Sequence, residues 1–196
     1  MISRGKTQNI VAQTVRDIMR NQHGWVRKGL KWAKREGDSD ILLHLLPSKI
    51  RGSGINPYYF PDLYISYRKF RHDEPSDTAP LFHKFDEYQI NIRTSDISNC
   101  YNNIVDIDSK LKNEKLYDMN ENIDDDMRIK SIRDDFNKNI LAFCAVVASL
   151  EAVFRIYANG KLPLYAFQWL EPERWLDEMK TNKKAQALFR AEFYRN

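Results

Sequence analysis

Four histidines, two cysteines and scattered carboxylates are the residues of this 196-residue chain that could carry proton, metal or nucleophile chemistry. His23, His44, His72 and His83 form no His-x-x-x-His pair, and none lies within a few residues of Cys100 or Cys144. A zinc site would have to gather three or four ligands from distant segments. His44 alternates into an apolar run and is expected to be a hydrogen-bonded core or sheet-face residue. Cys144 lies in the apolar stretch 141–150 and reads as a small buried hydrophobe. Neither cysteine has a histidine nearby in sequence, and no Gly-x-Ser-x-Gly elbow exists.

A metal-dependent nuclease of the restriction type pairs a strand Asp with a nearby acidic-x-Lys triplet, because carboxylate oxygens hold the ion and the Lys steadies charge. Pro61-Asp62 could supply the first part. Glu87-Tyr88-Gln89 supplies the second only imperfectly, with Gln89 in place of Lys, and Asp108-Ser109-Lys110 falls after the predicted sheet. A solvated turn carboxylate is the expectation for Asp62. Gly52-Ser53-Gly54, with Lys49 and Arg51, could cradle a phosphate through free N–H groups, but it lacks the Gly-Lys-Ser/Thr ending of a nucleotide loop. No catalytic, metal or cofactor-binding residue is assigned, and no cofactor is expected.

Charge is the stronger signal. Residues 1–71 carry fourteen Lys/Arg against five Asp/Glu, whereas residues 72–135 carry eight against sixteen. Aromatic residues are interleaved with the basic set, which includes Arg16 and Arg20. The candidate binding surface is Arg27, Lys28, Lys31, Trp32, Lys49, Arg51, Arg68 and Lys69. Aromatic rings beside a positive groove bind single-stranded nucleic acid by stacking. Against this, Trp32 and several tyrosines could close the core while their charged neighbours face water. The acidic run between residues 106 and 126 could meet a basic partner or simply solubilise the chain. It lacks the glycine and terminal glutamate of a calcium loop.

These residues must be positioned by elements that the hydrophobic spacing outlines. Ile10, Val11, Val15, Ile18 and Met19 recur every three or four positions and predict a helix over residues 7–20. Residues 25–34 show partial alternation around Leu30 and Trp32, and Glu36-Gly37-Asp38 reads as a turn. Residues 41–46 read as a central strand stopped by Pro47. Leu63, Ile65 and Tyr67 share one face of a strand over 63–70, and a further strand covers 88–93. Short helices are expected within 99–116. Ile129, Ile132, Phe136, Ile140, Phe143, Val147, Leu150, Phe154 and Tyr157 then predict one helix of about eight turns, capped by Asp124 to Asp126 and ended by Gly160. Two C-terminal helices follow, one beginning at Pro172 and one over 183–194 with Leu188, Phe189 and Phe193 inward.

Helix, strands, then helices is the order of an α+β fold. The expectation is a single domain over 1–196, sheet-rich in 1–95 and helical in 96–196. It has an N-terminal helix, an antiparallel sheet of four to five strands, and C-terminal helices on one sheet face.

The N-terminal helix running into Gly24-Trp25-Val26-Arg27-Lys28-Gly29-Leu30-Lys31-Trp32 continues to Leu45-Leu46-Pro47-Ser48-Lys49, Gly52-Ser53-Gly54 and Tyr64-Ile65-Ser66-Tyr67. Over residues 7–95 this arrangement resembles the DUF4304 family of uncharacterised, mainly bacterial proteins. The long acidic middle and aromatic C-terminal section depart from that family. The resemblance implies no catalytic residues. It implies only an association with immunity or defence partners.

The functional expectation is therefore a non-enzymatic binding protein with a protein partner. A nucleic-acid-binding protein using the basic aromatic half is the first alternative, and a divergent metal-dependent nuclease or hydrolase the second. The basic start, Met1 to Lys6, has no apolar stretch behind it and is not read as a leader. The ten residues 141–150, apolar except for Ser149, are too few to span a bilayer. No membrane partner is expected, and the two unpaired cysteines suit a cytoplasmic setting. The sequence specifies no oligomeric state.

Overall fold

A computed structural model describes residues 4–48, 58–70, 81–84, 87–92, 124–168 and 171–194. After helix α1 (Arg4–Arg20), strands β1 (Val26–Lys28), β2 (Lys31–Glu36), β3 (Ser39–Ser48), β4 (Tyr58–Tyr67) and β5 (Ile90–Ile92) form one five-stranded antiparallel sheet. The strands lie in chain order, each beside its sequence neighbour, so short connections suffice. The fold is α+β, as the sequence predicts. The loops expected at 49–54 and 72–80, the helices expected within 99–116, and the acidic run before Asp124 lie outside the described residues.

Period-two alternation assigns the faces. Ile41, Leu43, Leu45, Leu63, Ile65, Tyr67, Ile90 and Ile92 point to the helical side and are buried in the main core. Ala33, Leu42 and Tyr88 form a smaller cluster on the opposite face, with Tyr64, Leu81 and Phe82 against it. β3 therefore buries apolar residues on both faces, which is why its sequence reads as a near-continuous run. It also extends through Pro47, and β4 contains Pro61. Among the described residues neither proline faces a ladder partner on the side away from the β3–β4 pairing: β2 pairs with β3 only as far as His44, and β5 pairs with β4 only from Leu63 onward.

Val11, Val15, Ile18 and Met19 of α1 are buried against the same side of the sheet. The helix predicted over 128–158 is not one rod. α2 (Asp125–Asp135) passes through a π-turn (Phe136–Ile140) into α3 (Leu141–Val147), and α4 (Leu150–Ala158) then leaves at 109°. Ser149 makes the corner. Its backbone is extended (φ −92°, ψ 119°), and its Oγ accepts the Ala152 N–H at 3.4 Å, so it ends one helix and caps the next. Phe136, Val147 and Phe154 are all buried, because both arms present apolar residues to the same core. Asp124 caps α2 through the N–H groups of Asp126 and Met127. Gly160, at φ +66°, terminates α4.

α5 (Pro172–Glu178) and α6 (Lys183–Phe193) close the fold over an aromatic nest. The Phe167 ring lies 4.8 Å from Tyr157, 5.0 Å from Trp175 and 5.8 Å from Phe189, each edge-on. Phe167 also bridges β5 at Ile90. Phe193, expected inward, is 42% exposed and stacks on Phe189 from outside, because α6 ends there. Cys144 is buried, and burial pushes its thiol up to about 12. No single helix among the described residues is long and apolar enough to cross a membrane.

Replacing Ser149 with alanine removes the α4 cap while leaving the core untouched. Urea unfolding should show a loss of about 1 kcal/mol with unchanged m-value. A loss near that of a large core truncation, about 3–5 kcal/mol, would mean that the corner itself holds the two arms together.

Candidate anion-binding cleft

Gln13, Arg16, Asp17 and Arg20 fall at i, i+3, i+4 and i+7 of α1, so they line one stripe of the helix. That stripe faces the β1–β2 hairpin. The hairpin turns on Gly29 and Leu30, and Gly29 sits at φ +67°, where a side chain would be strained. Arg27 pairs with Trp32 across the ladder. Cross-strand partners share a face, so Arg27 lies on the helical side above Trp32.

Between helix and hairpin is a cleft of about 360 Å³. Its floor is Trp32 and Met19, both buried, with Trp32 only 2% exposed. Half-buried Trp25 joins Arg16, Arg20 and Arg27 in the lining. The Arg16 Nε is buried and makes no hydrogen bond. Arg27 Nε donates to the Gly29 carbonyl at 2.9 Å, which braces the guanidinium and leaves its remaining N–H groups unspent. Asp17 accepts from Gln13 at 2.8 Å. Among the described residues no ion pair neutralises Arg16, Arg20 or Arg27. Three guanidinium groups against one carboxylate leave the lining with a formal charge of +2.

The sequence-predicted surface is thus divided. Arg27 and Trp32 meet in the cleft, Trp32 as a core floor and not as an exposed stacking ring. Lys28 and Lys31 project from the other face of the hairpin, in one cross-strand row with His44 and Asp62. Arg68 and Lys69 lie in the single 3₁₀ turn after β4. There the Arg68 N–H bonds the Asp38 carbonyl, and Lys69 pairs with Glu178 and lies over the Phe70 ring. Lys49 and Arg51 lie outside the described residues. Arg16, Arg20 and Trp25, present only in the broader basic and aromatic set, complete the cleft. Their signal was the helical spacing of the arginines.

The metal and hydrolase reading gains no geometry. Asp62 is not a solvated turn residue: it lies within β4, 8% exposed, opposite His44. Gln89 is spent on structure, accepting the Tyr67 N–H at 2.8 Å and donating to the Glu87 carbonyl. Among the described residues no three His, Cys, Asp or Glu converge as metal ligands.

A second polar group was not legible in advance. Asp40, fully buried, accepts both Arg35 Nε at 2.8 Å and Arg35 Nη2 at 3.1 Å. His83 Nε2 stands 2.8 Å from Asp40 Oδ2, the oxygen that Arg35 Nη2 also reaches, and His83 Nδ1 lies 3.5 Å from Glu87. With a carboxylate at each ring nitrogen, this imidazole presents neither to a substrate. It ties the segment before β5 to the sheet.

Comparison with family models, curated proteins and solved structures finds no match to this chain.

Two measurements test these polar groups. Asp40→Asn removes the buried charge that the part-buried Arg35 guanidinium and His83 both meet, and should cost about 1–3 kcal/mol in denaturant unfolding. His44 is held down at about 4, first by burial and then by Lys31. The unfolded chain therefore takes up a proton first as pH falls from about 6.5 toward 4. Stability should decline through that window, by about 1–2 kcal/mol once solvent screening is included, and His44→Gln should flatten this part of the profile.

Proposed function

We propose that this protein is a non-enzymatic binding module whose α1–hairpin cleft takes an acidic segment of a protein partner. The observation that carries it is the set of three un-neutralised guanidinium groups around a tryptophan-floored cleft. Arginine forks match carboxylates bidentately, and Trp25 offers an apolar and cation-tolerant wall to the side chain beside the acid. Cleft volume suits one or two side chains, and the apolar floor excludes water from the contact.

A nucleic acid would use the same charge, with Trp25 stacking on a base. That reading is weaker because binding of successive bases needs successive exposed rings, and Trp32 is covered. A partner-neutralising role of the immunity type is one form the favoured reading takes. The DUF4304 resemblance is its support.

Fluorescence anisotropy with labelled octa-glutamate and labelled octa-thymidylate separates the two. Octa-glutamate should bind at low salt, and Arg20→Ala with Arg16→Gln should weaken it roughly tenfold or more. Tighter binding of octa-thymidylate, falling steeply with salt, would transfer the cleft to nucleic acid. Binding of octa-glutamate that survives the double substitution would remove the cleft from the account.

A further inference from the structure

We infer that the acidic segment enters as an added β-strand on the β1 edge, with carboxylates at alternate positions. This rests on the cleft reading above and specifies how the partner is held. β1 is the terminal strand of the sheet, and all three of its residues are exposed. At the other end, the edge of β5 is occupied: Ile90 bridges Phe167, and the Gln168 N–H bonds the Gln89 carbonyl at 2.8 Å. Among the described residues, β1 is therefore the edge open to pairing.

Hairpin geometry decides which groups that edge offers. Lys28 and Lys31 close the two-residue turn and form the hydrogen-bonded pair. Antiparallel ladders alternate, so the next pair, Arg27 and Trp32, is the non-bonded one. The Arg27 N–H and C=O consequently point away from β2, toward the free side. Arg27 makes no other backbone hydrogen bond among the described residues.

Face assignment then selects the side chains. A residue added opposite Arg27 lies in the same cross-strand row as Arg27 and Trp32, and so projects over the cleft. Residues two positions away project to the same side, about 6.8 Å along the strand. Carboxylates at these positions meet Arg27, Arg20 and Arg16. The intervening residues turn to the opposite face, where Val26 is 48% exposed and Lys28 is also free of the core. A small or β-branched residue suits the first of these. The recognised pattern is Glu-x-Glu with x such as Thr or Val.

The charge of the edge fits the same occupant. A short cationic edge strand resists pairing with basic strands, copies of itself included, which protects a sheet from aggregation. An acidic strand meets no such repulsion, so the device that blocks wrong partners admits this one.

The test uses the full chain and (Thr-Glu)₄. Its controls are the block isomer Thr₄Glu₄ and two N-methylated forms, one methylated at every Glu amide and one at every Thr amide. Strand addition requires the parent to bind best and at least one methylated form to lose roughly tenfold, since charge is unchanged and only backbone donors are removed. In hydrogen exchange, saturating parent peptide should slow the Arg27 amide while leaving the inward-bonded Lys28 amide as before. Equal binding of parent, block and methylated peptides, or an unprotected Arg27 amide at saturation, overturns strand addition while the cleft reading stands. Failure of both (Thr-Glu)₄ and octa-glutamate to bind removes both.

Discussion

The register between β3 and β4 is the constraint on which the molecule depends. Ten pairs run from Ser39↔Tyr67 to Ser48↔Tyr58, and every one fixes which face a residue occupies. A slip of one position would send Asp40, Leu42 and His44 into the helical core and put Ile41, Leu43 and Leu45 outside. The apolar pattern resists that slip on one face, and Asp40 resists it on the other. Away from Arg35 and His83, a fully buried carboxylate would face an environment that penalises charge. Replacing such a tie by apolar residues of equal volume costs little stability, so its contribution is to specify the alignment.

The cleft inherits its geometry from that alignment. β2 pairs with β3 in six positions, which places Trp32 opposite Leu43 on the helical face. β1 then carries Arg27 onto the same face, and α1, packed by Val11, Val15 and Met19, brings Arg16 and Arg20 to it. The contrast between the two arginine environments is instructive. Arg35 spends its fork on a carboxylate two strands from the sheet edge, whereas among the described lining residues the cleft arginines share one carboxylate, Asp17, itself bonded to Gln13. Clustering like charges around one cavity disfavours the folded state slightly. The proposed acidic partner would offset that cost.

Much of the fold was legible because it follows from local periodicity. Leu63, Ile65 and Tyr67 alternate, Gly37 marks a turn built at φ +55°, and Cys144 lies in an apolar run. The corner at Ser149 was not legible. Val147, Leu150 and Phe154 keep three- and four-residue spacing across it, and spacing reports which residues face the core but not whether the helix axis turns. Asp62 was misread as a turn residue because Pro61 suggests a break. The strand continues there, and among the described residues no β5 partner demands the missing N–H. The Asp40–His83 tie joins residues 43 positions apart, and only sheet register reveals it. For the cleft, the helix stripe of Arg16 and Arg20 was readable, and so was Arg27 within the basic aromatic segment. Their meeting was not, since it depends on how α1 crosses the sheet.

The chemistry available to such a cleft is narrow, and it suits the binding proposed for it. A guanidinium keeps its proton at any physiological pH, so it can hold a charge but cannot exchange a proton during a reaction. Tryptophan offers a ring face and one donor, and the lining carboxylate of Asp17 already accepts a hydrogen bond. What remains is a fixed positive field over an apolar floor, open on one side to a sheet edge with outward backbone groups. Side-chain charge alone would recognise any anion. Backbone pairing alone would recognise any extended segment. Joined at Arg27, whose guanidinium faces the cleft while its amide faces the edge, the two requirements apply to the same residue, and an anion that is not also a strand meets only half of them.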